Sequence, residues 1–342
     1  MRARWWVAIV ALFVVLGAPA CGGDDAPASQ GEGQEDGGSL TIYSGRDEEM
    51  IGSLVEDFED TTGISVDVRY GDSADLALLI AEEGSASPAD LFFSQSPGAV
   101  EFLATDDLLG PVGEDALAKV DPDYADDEGK WVGITGRQRV LVYNEELVSP
   151  DELPESVLDL TDEAYEGDVG VAPENGSFQD FVTALRADIG EDAAARWLQD
   201  IVDNGAQAYA DNSSIVAAVG RGEIPMGLVN HYYNYRALAE DPSAPSRNHV
   251  FPSGDIGSFV ITASTAILAG SENAEQAQSF IDFLLNAEAQ TYFATETFEY
   301  PLASGVDPHE DLPPLGSTRE LDLQGLGDLK PTVQMIQESG LL

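Results

Sequence analysis

Apolar positions along the chain switch between two periods. "SLTIYS" places Leu40, Ile42 and Tyr43 in a short strand. After Ser44-Gly45 the repeat becomes helical, with Ile51, Leu54, Val55 and Phe58 on one side and Gly63 ending the run. "ISVDVRY" returns to strand and "ADLALLIAEEG" to helix; "ADLFFS" and "GAVEFLATDDLL" repeat the pair. Beyond "KWVGITGRQRVLVYN" three more units each run strand, polar turn, helix. They are "VGVAP" into "NGSFQDFVTALRADIG", "AQAYA" into "DNSSIVAAVGRGE", and "PMGLV" into "NHYYNYRALAED". Strands alternating with helices of this length predict βαβ units and a parallel sheet, hence an α/β fold. No internal repeat at solenoid spacing is present. The 342 residues are enough for two compact domains.

The N-terminus has a different pattern. Arg2 and Arg4 precede "WWVAIVALFVVLGAPA", an apolar run with the layout of a secretory signal over residues 1–20. Cys21, the single cysteine of the chain, follows at once. "GAPAC" resembles a bacterial lipoprotein processing box, with Ala18 where leucine is usual. The alternative is an ordinary signal with an incidental thiol, but an unpaired cysteine in a linker gives an exported protein nothing. Lipidation of Cys21 is therefore expected, with acyl chains as the only membrane attachment. Residues 21–38 then form a glycine- and acid-rich tether. The expected location is the cell envelope, either on the outer face of the cytoplasmic membrane or periplasmic.

Charge narrows the partners. Sixty-three acids against fifteen bases give a formal net charge of -48. Such a surface repels phosphate backbones and excludes nucleic acid as a partner. The acids are spread along the chain, as suits a protein working in high salt, where self-repulsion is screened. An enzyme is not expected: no nucleophile elbow, zinc-protease motif or P-loop occurs. His231, His249 and His309 follow no metal-ligand spacing. Carboxylates are too numerous to single out a catalytic pair, so a secreted hydrolase stays as a remote alternative.

Chemistry concentrates in the polar turns of the later units. They hold Asn175, Gly176 and Ser177, then Asn212 and Ser213, then Asn230 and His231. Carboxyl ends of strands in open α/β sheets face the ligand crevice, and helix N-termini there favour anions. Each turn alone reads equally well as a helix cap. The last one runs directly into Tyr232-Tyr233, an adjacent phenol pair that neither strand nor amphipathic-helix packing explains; taken alone, half-buried tyrosines with their hydroxyls toward water are the plain alternative.

These segments together resemble the ferric-ion-binding proteins of bacterial ABC importers. "LTIYSGRDE", "TGISVDVRYGDSADLALLIAEEG", "SPADLFFSQ", "GRQRVLVYN", "NGSFQD", "GEIPMGLVNHYYNYR" and "EYPL" carry the likeness from about Leu40 onward. It implies a two-lobe, type 2 periplasmic-binding-protein fold, each lobe a mostly parallel sheet flanked by helices and hinged by crossover segments. Lobe boundaries follow near Arg137 and Val260: residues 39–137 with 261–311, and 138–260 with 312–342. The family's metal-binding tyrosines map onto Tyr232 and Tyr233. Ferric iron, a hard cation, suits such phenolate oxygens. Asp47 and Gln95 stand where many relatives have a histidine and a glutamate. Asp47 is read either as an oxygen donor or as a carboxylate favouring a helix N-terminus, Gln95 as a weak neutral donor or cleft lining. The resemblance also implies a synergistic anion, phosphate or carbonate, held by Asn175, Gly176, Ser177, Asn212 and Asn230. Arg137 is placed with them in the site, facing the cleft to pair with the anion or a tyrosinate, whereas Arg139 is read as a hinge ion pair. Implied partners are a permease and an ATPase. The alternative ligand for this scaffold is an oxyanion, a phosphonate or a polyamine.

Overall fold

The computed structural model describes residues 38–315 and 329–342. The signal, Cys21 and the tether up to residue 37 lie outside the described residues. Among the described residues, no helix is long and apolar enough to cross a membrane.

The strands are β1 (Ser39–Ser44), β2 (Ser65–Tyr70), β3 (Leu91–Ser94), β4 (Val132–Asn144) and β5 (Val169–Val171). They continue with β6 (Gln207–Ala208), β7 (Met226–Asn230), β8 (Ser246–His249), β9 (Val260–Ile267) and β10 (Tyr300–Pro301). The helices begin with α1 (Glu48–Thr62), α2 (Ser73–Glu83), α3 (Pro97–Thr105) and α4 (Glu114–Leu117). Next come α5 (Gly176–Ile189), α6 (Glu191–Asp203), α7 (Asn212–Gly220) and α8 (His231–Glu240). The last are α9 (Ala274–Leu284), α10 (Ala287–Thr295) and α11 (Leu329–Ser339).

Hydrogen bonding orders the strands β2-β1-β3-β9-β4-β7-β5-β6, with β8 and β10 also on β4. β1 pairs in parallel with β2 and β3, and β5 with β6 and β7. The middle is antiparallel, because β9 runs against both β3 and β4. β4 is the seam and is buried along its whole length. Its first part pairs with β9 as far as Gln138, opposite Val260. From Arg139, opposite Asn230, it pairs with β7 and then β8. One strand thus belongs to two sheets.

Strand alternation sets the layers. Leu40, Ile42, Leu91 and Phe93 pack on one side with Ile51 and Phe58 of α1 and Phe280 and Ile281 of α9. Tyr43 and Phe92 leave the opposite side and join Ile80 of α2 and Leu103 of α3. Burying each such aliphatic or aromatic side chain contributes roughly 1.5–3 kcal/mol. Two glycines shape the first loop region. Gly63 caps α1 at φ 71°, with its N–H on the Glu59 carbonyl at 2.8 Å, a left-handed stop that side chains resist. A Cβ on Gly45 would lie 1.9 Å from Ser73 Oγ, so only glycine lets the β1–α1 turn lie against the start of α2. The same Ser73 Oγ accepts from the Gln95 backbone N–H at 2.9 Å, which ties the β3–α3 turn into the cluster.

Candidate functional site: a tyrosine pair over buried arginines

Turns at the carboxyl ends of β1, β3, β5 and β7 meet at the β4 seam. Tyr232 and Tyr233 occupy the first turn of α8, their rings stacked with centroids 4.1 Å apart and planes at 28°. Tyr232 is buried and packs into the layer of Leu40 and Ile42, while Tyr233 is half-buried between that layer and the one under α7. Burial pushes the Tyr232 phenol well above its usual range. Tyr233 and Glu299 act in the same direction, against Arg46 and Arg137. Tyr235, two residues on, stacks on Phe298 at 6.0 Å.

Three arginines underlie the pair, and they are among the largest fully buried side chains of the protein. Arg46, from the β1–α1 turn, puts Nη2 2.7 Å from Glu299 Oε2. Arg137 Nε stands 3.7 Å from the other oxygen of the same carboxylate. Arg137 Nη2 also donates to the carbonyls of Gln95 and Thr262. Arg139 Nη1 donates to Ser177 Oγ at 3.3 Å and to Asn230 Oδ1 at 3.2 Å. Burial lowers the Arg139 guanidinium to about 9, still charged at neutral pH. Burial first, then Arg46, lowers Arg137. Arg46 goes the other way, because Glu299, the two tyrosines and Asp47 together outweigh its burial. Buried cations gathered this way favour an anionic group beside them.

The polar turns join this locus. Asn175 caps α5 and its Oδ1 accepts from Ser177 N–H at 3.1 Å, Ser177 Oγ at 2.5 Å and Asn212 Nδ2 at 3.2 Å. Asn175, Ser177, Asn212, Asn230 and Arg139 therefore form one connected network. Gly176 faces the β3–α3 turn, where a Cβ would meet that of Ser96 at 3.9 Å. Several buried atoms of the network lack partners: Arg139 Nε and Nη2, Asn212 Oδ1 and Asn230 Nδ2. Unpaired buried polar atoms on this scale usually mark a place for a ligand or water.

Arg139 is the arginine of the polar network, a correction to its reading as one half of a hinge ion pair. Arg137 and Arg139 are two apart in β4, so both side chains leave the same face. Asp47 takes the cap position of α1 with no side-chain cap bond and lies exposed beside Arg46. Gln95 binds through its backbone, accepting from Arg137 and donating to Ser73. Arg46, Glu299, Ser96 and Asp180 escaped the sequence reading. The scarcity of bases was the one available signal for Arg46.

A family model for bacterial extracellular solute-binding proteins matches residues 86–320. The chain belongs to this family. Similar proteins include an "Fe(3+)-binding periplasmic protein" of Serratia marcescens, 33% identical over 98% of this chain and 97% of that one. A "major ferric iron-binding protein" of Neisseria meningitidis serogroup B is 30% identical over 88% of this chain and 93% of its own length. Among solved structures, iron-bound HitA of Pseudomonas aeruginosa superposes with a TM-score of 0.84 at 33% identity, covering 88% of this chain and 99% of HitA. This solute-binding protein has the two-lobed α/β architecture of type 2 periplasmic binding proteins. Its two sheets are joined through β4.

Proposed function

We propose that this solute-binding protein captures ferric iron between its lobes and delivers it to the permease and ATPase of an ABC importer. The observation that carries the reading is the stacked Tyr232–Tyr233 pair set over Arg46 and Arg137. Two phenolates would supply hard, anionic oxygens to a trivalent ion, and neighbouring guanidiniums would favour the phenolate form. The relatives named for ferric iron support the choice of metal. Asp47 and Gln95 are further candidate donors. Hinge segments near Arg137 and Val260 would separate lobes made of residues 39–137 with 261–311 and 138–260 with 312–342.

Two phenolates leave an iron shell unfilled. A small anion such as phosphate or carbonate completes it in this reading, held by Asn175, Gly176, Ser177, Asn212, Asn230 and Arg139. The unpaired donors of Arg139 and Asn230 support that assignment. The same donors keep a second reading in play, a receptor for an oxyanion or phosphonate with no metal.

Titration with ferric citrate separates them. Iron held by phenolates gives a visible ligand-to-metal charge-transfer band, which Tyr232→Phe and Tyr233→Phe should each bleach. Because Tyr232 holds its proton well above neutral pH, binding must expel it, so affinity should fall as pH drops. A colourless complex, or full affinity in the double variant, would reject the assignment. Cys21 is proposed as the lipidated residue; Cys21→Ser should move the protein from membranes to the soluble exported fraction, and a membrane-bound variant would refute it.

A further inference from the structure

His231 is buried and is the first residue of α8, directly before the tyrosine pair. Both ring nitrogens are engaged. The Gln138 backbone N–H donates to Nδ1 at 3.1 Å, and Nε2 lies 2.8 Å from the Phe298 carbonyl oxygen. A donor on Nδ1 leaves the ring proton on Nε2, so Nε2–H donates to Phe298. The neutral imidazole is thus fixed in tautomer and orientation.

Both partners lie at consequential points. Gln138 is the last residue of β4 paired with β9, and Arg139 is the first paired with β7. Phe298 adopts φ 57°, a left-handed conformation that a bulky side chain resists, and immediately precedes Glu299. Glu299 is the carboxylate shared by Arg46 and Arg137. One imidazole therefore ties together the start of the tyrosine helix, the switch point of β4 and the loop that carries the arginines' counter-ion. The helix end is held from its other side as well, since Asn248 Nδ2 donates to the His231 carbonyl at 2.9 Å.

We infer that His231 is a positioning residue for the metal site: it sets Tyr232 and Tyr233 at a fixed distance and angle to Arg46 and Arg137. The inference rests on the tyrosine reading given above. A histidine that only fills space has a basis too, because the Tyr300 ring lies 4.9 Å away and those of Tyr232 and Tyr235 6.1 Å. The two roles differ in what a ring without nitrogens would do. A space-filler is replaced by phenylalanine with no change at the metal; a positioning residue is not.

The experiment uses the full chain, ferric citrate as the probe, and the charge-transfer band and iron affinity as readouts. Apo thermal transitions check folding. His231→Phe, which removes both ties, is expected to shift the band and weaken iron binding by about tenfold. His231→Gln keeps a donor within reach of the Phe298 carbonyl and should recover affinity to within about threefold of wild type. His231→Asn, small enough to fit whether or not the phenylalanine variant folds, keeps an acceptor for Gln138 but cannot reach Phe298. It should lose affinity as the phenylalanine variant does. Wild-type band and affinity in His231→Phe or His231→Asn would overturn the inference, as would a loss that His231→Gln fails to restore. Failure of the tyrosine reading looks different: the wild-type protein itself gives no band, or Tyr232→Phe and Tyr233→Phe keep it.

Discussion

Ser96 Oγ donates to Asp180 Oδ1 at 2.5 Å, and both residues are buried. Ser96 caps α3, which follows β3 on the β1-β3-β9 side of the seam; Asp180 lies on α5, which follows β5 on the far side. The other oxygen of Asp180 has no partner. Burial pushes the carboxyl up to about 7, against the Ser96 bond, Arg137, Arg139 and the Gly98 N–H, which all act downward. A contact between the two sheets is therefore also a proton site.

Its contribution to stability follows from the direction of that shift. An unfolded aspartate titrates near 3.9. From there up to about 7 the folded protein keeps a proton that the unfolded chain has lost, so the stability tied to this carboxyl declines as pH rises. His231 acts oppositely: burial lowers it to about 3, so stability tied to its neutral ring is lost as pH falls below roughly 6.5. In their overlapping window the two offset each other. Asp180→Asn keeps an acceptor for Ser96 and removes the ionisation. Urea midpoints should show the variant gaining on wild type from pH 5 to pH 8, by on the order of a few kcal/mol, and becoming the more acid-sensitive of the two. A difference that is the same at both pH values would show that Asp180 ionises normally.

How much of this was legible in the sequence depends on the range over which each feature is specified. Leu40, Ile42, Ile51, Leu54 and Phe58 announce their strand and helix because period alone decides which face is buried. Gly63 announces its stop because only glycine enters a left-handed cap at little cost. The phenol pair stood out because no strand or helix period calls for two adjacent tyrosines, although Tyr232 itself packs into the layer of Leu40 and Ile42. By contrast, the Arg46–Glu299 ion pair joins residues 253 apart and Ser96–Asp180 joins residues 84 apart, and no local pattern encodes either. Arg139 was recoverable. Alternation in β4 puts it on the same face as Arg137, and that geometry should have outweighed the hinge ion-pair reading.

Arg139 is the natural place to test the proposed anion. One guanidinium nitrogen, Nη1, donates to both Ser177 and Asn230 while Nε and Nη2 stay unpaired, a planar set of spare donors that a lysine ammonium cannot offer an anion although it keeps the charge. Arg139→Lys should therefore weaken iron binding about tenfold in phosphate buffer, where the loss of one charge-assisted hydrogen bond is felt. In buffer stripped of phosphate and carbonate, variant and wild type should bind alike. Equal responses to phosphate in the two proteins would remove Arg139 from the anion site.

Asp47 is the residue that tests how the proposed iron shell would be completed. It stands exposed at the cap position of α1, φ -65° and ψ 148°, yet its side chain caps nothing. A carboxylate without a structural bond is either free to ligate or only a favourable charge at a helix N-terminus. Asp47→Ala should leave stability within about 0.5 kcal/mol, as for a surface site away from special features. Iron affinity then separates the two roles. If the anion and water fill the shell, Asp47→Ala has little effect and removal of phosphate and carbonate a large one. If the carboxylate is a ligand, the order reverses. The buried, partly unpaired network around Arg139, Asn212 and Asn230 favours the first outcome, because it offers more donors than the protein itself uses. Iron affinity indifferent to every added anion, together with a large loss in Asp47→Ala, would overturn that expectation and place Asp47 on the metal.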